Sequence, residues 1–190
     1  MKKLLTFLFT VATGLAFTQL TTNNPDTVCY QSINPSTYTV PNIGGGVYTW
    51  NITPPGVITS GQGTNSISVN WSAAAPGLIN NGVSVTYQSP APALCSSTPV
   101  NLNVFIYQVL PTITAIGPFC AGAPCVALTG TPLGGTFSGP GVINGQFCSG
   151  NANIGVNTIT YTINVNGCVF TTTTSVTVNP IPALSPIQHN

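Results

Sequence analysis

The stretch "NTITYTINVNGCVFTTTTSVTV", Asn157 to Val178, decides the fold class. Ile159, Tyr161, Ile163 and Val165 alternate with polar residues, the period of a strand with one buried face. Asn166-Gly167 then supplies two adjacent positions tolerant of positive φ, as a two-residue hairpin turn requires. In the register set by that turn, Val165 faces Cys168 and Ile163 faces Phe170. Cys168 therefore shares the apolar face, where a disulfide can sit.

Working outward, the same alternation recurs. Tyr48, Trp50 and Ile52 share a face in "GVYTWNI", as do Ile67, Val69 and Trp71 in "NSISVNW". Val83, Val85 and Tyr87 form a third set, and Val100, Leu102, Val104 and Ile106 a fourth. Glycine, proline and asparagine separate these runs, and no helical period is present. Short alternating runs with such punctuation predict an all-β sandwich or barrel.

A weak internal repeat divides the chain. "PPGVITSGQGTNSISVNW" (Pro54 to Trp71) and "GPGVINGQFCSGNANIGVNTITYTI" (Gly139 to Ile163) share a PGVI core, a glycine turn and an alternating strand. The expected organisation is a module at 19–110, a second at 112–180 joined near Leu110-Pro111, and a Pro-rich tail at 181–190. Each copy has a cysteine upstream, Cys29 or Cys120, and one downstream, Cys95 or Cys168. The expected bonds are Cys29–Cys95 and Cys120–Cys168, with Cys125–Cys148 as an extra staple in the second module. A zinc site is the rival use of the cysteines. No CxxC pair is present, however, and His189 is the sole histidine.

The N-terminus "MKKLLTFLFTVATGLAFTQ" has a basic start, an apolar run and small residues before a possible cut, the form of a secretory signal peptide over 1–18. A retained anchor is the rival, but the run falls short of the roughly 20 apolar residues a spanning helix needs. Beyond it the chain has no Lys or Arg, and Asp26 is its one acid. Charged residues make up 2% of the whole, against about 25% in ordinary soluble domains. Nucleic-acid binding, which needs cations on phosphates, is thereby excluded. So is electrostatic attraction to anionic lipid, and no membrane insertion is expected after cleavage. Six cysteines behind a signal peptide point to disulfides in an oxidising, extracellular setting.

"STYTV", "GGGVYTWNITPPGVITSGQGTNSISVNW" and "VSVTYQS" resemble a PKD-like immunoglobulin-type domain. "ALTGTPLGGTFSGPGVINGQF" and "NTITYTINVNGCVFTTTTSVTVNPIP" resemble the Ig-like repeats of large secreted and surface proteins of gliding bacteria. The resemblance covers nearly the whole chain past the leader. It implies two tandem Ig-like (PKD-like) β-sandwich modules and a role in adhesion or surface structure, with no catalytic residues to carry over. The chain departs from those proteins in its shortness, with no further repeat or recognisable sorting domain after "NPIPALSPIQHN".

Little in the inventory supports chemistry. Acid–base and nucleophilic catalysis need positioned His, Asp, Glu, Lys or Tyr, and Asp26 and His189 have no evident partners. An enzyme is therefore not expected, nor is any cofactor. A calcium site needs several carboxylates, and the chain has one. The glycine-rich stretch Leu128 to Gly150 lacks the Lys-Ser/Thr of a phosphate loop. Its glycines are read as turns and bulges, with Asn144-Gly145 closing a hairpin and Cys148 tying back to Cys125.

Tyr30, Tyr38, Tyr107, Trp50 and Trp71 could stack on sugars, although both tryptophans fall on the apolar parity where sandwiches bury a Trp. Tyr107 is the candidate exposed aromatic contact, on the parity opposite Val104 and Ile106. Thr27 in Asp26-Thr27-Val28 fits a short O-glycosylation acceptor motif, or simply leads into the first strand. Finally, soluble β proteins guard their edge strands with charge or proline and keep net charge away from zero. A chain without charged guards is expected to pair with its own copies through strand edges or termini. The other partners considered are glycans and surface proteins.

Overall fold

A computed structural model describes residues 25–184 and the backbone of Lys3–Leu4. The chain divides into two compact units, Met1–Gln108 and Val109–Asn190. The described residues form strands and turns, with one short 3₁₀ turn at Ser149–Asn151. Among them no helix is long and apolar enough to cross a membrane. The leader expected at 1–18 lies outside the described residues apart from Lys3–Leu4, and so do residues 185–190 of the tail, including His189.

The first unit runs β1 (Lys3–Leu4), β2 (Asp26–Cys29), β3 (Ser36–Thr39), β4 (Val47–Ile52), β5 (Val57–Ser60), β6 (Ser66–Asn70), β7 (Gly77–Gln88) and β8 (Val100–Tyr107). Two sheets result, ordered β1-β3-β6-β5 and β2-β8-β7-β4. Tyr38, Ile67, Val69 and Trp71 from one sheet share a buried cluster with Val28, Tyr48, Trp50, Val83, Val85, Val104 and Ile106 from the other. The unit is thus a β-sandwich, and every one of its alternating sets turns inward as its parity requires. Ile52, Tyr87, Val100 and Leu102 pack partly buried at the margin.

The second unit runs β9 (Thr112–Ile113), β10 (Phe119–Cys120), β11 (Val126–Ala127), β12 (Gly130–Thr131), β13 (Thr136–Ser138), β14 (Val142–Ile143), β15 (Gln146–Phe147), β16 (Gly155–Val165) and β17 (Cys168–Asn179). Its main sheet is ordered β10-β17-β16-β13, beside the smaller sheets β11-β15-β14 and β12-β9. β16 and β17 pair without a shift from Val165↔Cys168 to Gly155↔Val178. Ile163 faces Phe170, the expected register. Asn166 and Gly167 adopt φ 54° and 80°, and Asn144 and Gly145 take φ 48° and 76° between β14 and β15. Both expected Asn-Gly hairpins are present. Leu128, Phe147, Ile159, Val176 and Val178 make the core of this unit.

The glycine-rich stretch serves packing. A Cβ at Gly135 would lie 2.4 Å from the Tyr161 ring and one at Gly130 2.7 Å from it. The Gly135 amide donates to the Tyr161 hydroxyl at 2.9 Å, and that hydroxyl donates to the Pro132 carbonyl. The loop closes over one buried tyrosine, with bare backbone where side chains would collide.

Cys125 and Cys148 form a disulfide with a Cα–Cα distance of 4.2 Å. The other two expected pairings are not formed. Cys95 and Cys120 are free and exposed, whereas Cys29 and Cys168 are each disulfide-bonded. The register explains why. Cys120 lies opposite Asn179 at the end of β17, and Cys168 begins that strand. The eleven residue-to-residue steps from Cys168 to Asn179 span about 36 Å at ~3.3 Å each, far beyond the reach of a disulfide. In the first unit Cys29 lies opposite Tyr107 at the end of β8. Cys95 bonds Ser89 beyond the start of that strand, and the length of β8 alone separates the two by roughly 23 Å.

Candidate functional site

Asp26, the sole acid of the chain, sits on β2 at the margin of one sheet, while Tyr38 sits on β3 in the other. The Tyr38 hydroxyl donates to Asp26 Oδ2 at 3.1 Å and accepts from the Trp71 indole Nε1 at 3.0 Å. This chain of bonds ties the two sheets together across one side of the sandwich. Tyr38 is 6% exposed and Trp71 3%, so each polar atom depends on the other. Burial, and then the Asp26 carboxylate beside it, push the Tyr38 phenol above its usual range. It stays protonated and donating at neutral pH. A neutral phenol between an indole and a carboxylate is a structural brace.

The second polar device protects an edge. β4 borders its sheet, and the Gln62 side chain lies along its open side. Gln62 Oε1 accepts from the Trp50 amide at 3.0 Å, and Gln62 Nε2 donates to the Trp50 carbonyl at 2.9 Å. The amide group thus imitates one residue of a neighbouring strand. Next to it the Tyr48 amide donates to the Gly63 carbonyl at 3.4 Å.

The aromatic candidates disperse. Trp50 and Trp71 are buried, with Trp50 Nε1 donating to the Thr64 carbonyl at 2.8 Å. Tyr38 belongs to the brace. Tyr30 is half-buried, and Tyr107 is half-buried too, its ring 6.2 Å from that of Phe105. The structure therefore places Tyr107 short of the exposed platform expected for it, because Phe105 and Tyr107 lean together on one face of β8. Thr27 is half-buried in β2, opposite Phe105. Among the described residues no group of three His, Cys, Asp or Glu could hold a metal ion.

With a sandwich in which Trp50 and Trp71 fill the core, the comparison with known families is direct. Residues 16–98 match the PKD-like domain. The match spans β2 to β7 and stops before β8, which completes the second sheet. No curated protein matches the chain. PKD-like domains are typical of extracellular and surface proteins, and Ig-type domains of this kind are typically non-catalytic. The disulfides agree with an extracellular setting.

Sequence reading did not find the brace or the Gln62 plug. Tyr38 carried a signal, since its parity in "STYTV" matches Val40, and a buried tyrosine needs a hydroxyl partner. Asp26 was the one acid available to accept. Gln62 lies in the turn "SGQG", where nothing in the sequence distinguishes a plug from an exposed side chain.

Proposed function

We propose that this protein is a secreted structural or adhesive component of the cell exterior, a subunit that assembles with its own copies through strand edges or termini. Its role is non-catalytic. The observation that carries the reading is the strand surface itself. Exposed positions on the long strands β16 and β17 are Thr, Ser, Asn and Val, those on β7 are Leu78, Asn80, Asn81 and Gln88, and from residue 25 to residue 184 the only charged side chain, Asp26, is engaged by Tyr38. Nothing ionic opposes approach of a second copy. The likeness of residues 16–98 to a PKD-like domain supports the extracellular placement, as does the resemblance of the second unit to the Ig-like repeats of surface proteins.

The test is light scattering after size exclusion of the leader-free protein at rising concentration, with negative-stain imaging of the same samples. Concentration-dependent growth or fibres is the expected result. A clean monomer at high concentration, without fibres at any salt, overturns the proposal. A small binding module for glycans or another surface protein is the second reading, favoured by the partial exposure of Tyr30 and Tyr107. A glycan array with no signal would count against its glycan form.

A further inference from the structure

One loop of the first unit presents an apolar surface to solvent. Between β7 and β8 the chain runs Pro90-Ala91-Pro92-Ala93-Leu94-Cys95, six consecutive apolar residues, and every one of them is exposed. A run of that kind is out of place on a surface unless it serves a contact. The loop is fixed at its neck. The Ser89 amide donates to the Cys95 carbonyl and the Cys95 amide donates to Ser89 Oγ, both at 2.9 Å. Below the neck, the Ser97 amide donates to the Tyr87 carbonyl at 2.8 Å, and the Tyr87 amide donates to Ser97 Oγ at 2.9 Å. Leu94 is held at φ 47°, a left-handed conformation that strains a bulky residue. Its side chain is 56% exposed, so burial does not account for the strain. Backbone strain of this kind gathers at binding sites.

The neighbouring loop joins the same end. Val47 lies opposite Gln88, so the 40–46 and 89–99 loops leave their sheet side by side. The Tyr87 hydroxyl donates to the Gly44 carbonyl at 2.7 Å. The Tyr48 hydroxyl donates to the Pro41 carbonyl at 3.1 Å and accepts from the Ile43 amide at 2.8 Å. A Cβ at Gly46 would lie 2.4 Å from the Tyr87 ring, and one at Gly45 would meet Pro90 at 3.4 Å. Ile43 and Val47 are exposed beside them. Two loops clamped by tyrosine hydroxyls form a preset apolar surface that loses little freedom on binding.

We infer that this loop end is a contact between two copies of the chain, sealed by a disulfide from Cys95 of one copy to Cys95 of the other. The inference rests on the extracellular, self-associating reading above and names a surface for it. The chemistry of the end chooses the occupant. Neither loop carries a charge, so nothing recruits an ionic partner and nothing repels a second copy. Cys95 is free and exposed, in a chain whose Cys125–Cys148 bond fits an oxidising setting. A leftover thiol in that setting points to pairing between molecules. A two-fold contact centred on the apolar run sets each Cys95 beside its own counterpart. Cys120, the other free thiol, stands between Phe119 and Ala121, which pack half-buried on the core of the second unit. The bond forms by two exchanges with a small disulfide. The Cys95 thiolate of one copy attacks it, keeps one of its halves and releases the other as a thiol. The Cys95 thiolate of the second copy then attacks the first Cys95 sulfur and releases the remaining half. Two protein thiols lose two electrons and two protons, and the small disulfide gains them.

The test uses the folded, leader-free chain with oxidised glutathione as the small disulfide, read on non-reducing gels and by peptide mass spectrometry. Cys120→Ser is expected to give a dimer joined Cys95 to Cys95. Cys95→Ser is expected to cross-link through Cys120 at least ~tenfold more slowly, having no apolar contact to hold two copies together. Leu94→Asn, placed in the Cys120→Ser chain, removes the apolar side chain with a residue that tolerates the positive φ, so the loop is kept. It is expected to slow the dimer about tenfold, the order of losing one anchor at an interface. A glutathione adduct as the sole product at Cys95, cross-linking no faster there than at Cys120, or a rate that ignores Leu94→Asn overturns the loop contact. Light scattering of the same chains separates the two readings. Growth without Cys95 linkage overturns the loop contact and leaves assembly by another surface standing, and a chain that neither links nor grows overturns both.

Discussion

Removing one oxygen from the Asp26–Tyr38–Trp71 brace is the sharpest probe of the first unit. In Tyr38→Phe the ring and its packing remain, but the Trp71 indole N–H, 3.0 Å from the lost hydroxyl, keeps no acceptor in a site where Trp71 is 3% exposed. An orphaned buried donor costs about 1–3 kcal/mol. Asp26 is half-buried, so water takes the place of its lost bond at little further cost. A domain near 100 residues loses roughly 4–8 °C of Tm per kcal/mol, which gives a fall of about 4–24 °C by calorimetry or circular dichroism.

The same hydroxyl carries a pH signature. The folded chain holds the Tyr38 proton above the pH at which an unfolded tyrosine releases it. Its contribution is therefore whole below about pH 10 and is lost as pH rises past that value, at roughly 1.4 kcal/mol per pH unit. Denaturant melts of wild type and Tyr38→Phe between pH 8 and 11.5 compare the slopes, and the variant should be shallower by that amount. A variant as stable as wild type at pH 7, or one with the same alkaline slope, refutes the brace.

Other consequences follow from single contacts. Without reduction, iodoacetamide should label Cys95 and Cys120 and leave the other four cysteines unlabelled by peptide mass spectrometry. Replacing both Cys125 and Cys148 with Ser releases a loop closed over a separation of 23 residues, for a loss of about 3 kcal/mol in chemical denaturation. Gln62→Ala leaves the Trp50 amide and carbonyl without the plug. It should cost about 1–2 kcal/mol in chemical denaturation and promote association through the β4 edge, read by light scattering. Gly135→Ala drives a methyl against the Tyr161 ring and the Thr162 carbonyl, 2.4 and 2.6 Å from its Cβ. A loss of about 1–3 kcal/mol is expected by thermal melting.

The sequence was most informative where local chemistry decides geometry. The β16–β17 register followed from Asn166-Gly167 alone, because a two-residue turn leaves one way to pair the flanking strands. Parity gave the buried faces of β4, β6, β7 and β8, since a half-buried strand has a period of two. The cysteine pairing needed long-range topology. The repeat suggested that each outer pair closes its own module, yet β10 joins β17 at the far end from Cys168, and β2 meets β8 at the far end from Cys95. Which strands lie side by side, and in which direction, is not written in the alternation of their residues. The brace and the plug were hidden for the same reason. Tyr38 and Asp26 are 12 residues apart, as are Trp50 and Gln62, and only the folded sheets bring them together.

Residues 25–184 carry one charged side chain, the half-buried Asp26, and Tyr38 engages it. Two such surfaces meet without long-range steering, at the roughly 10⁵–10⁶ M⁻¹s⁻¹ of neutral partners. Their cohesion has no Coulombic part for dissolved ions to screen. A coat built from this chain would lose little cohesion to charge screening between fresh water and brine.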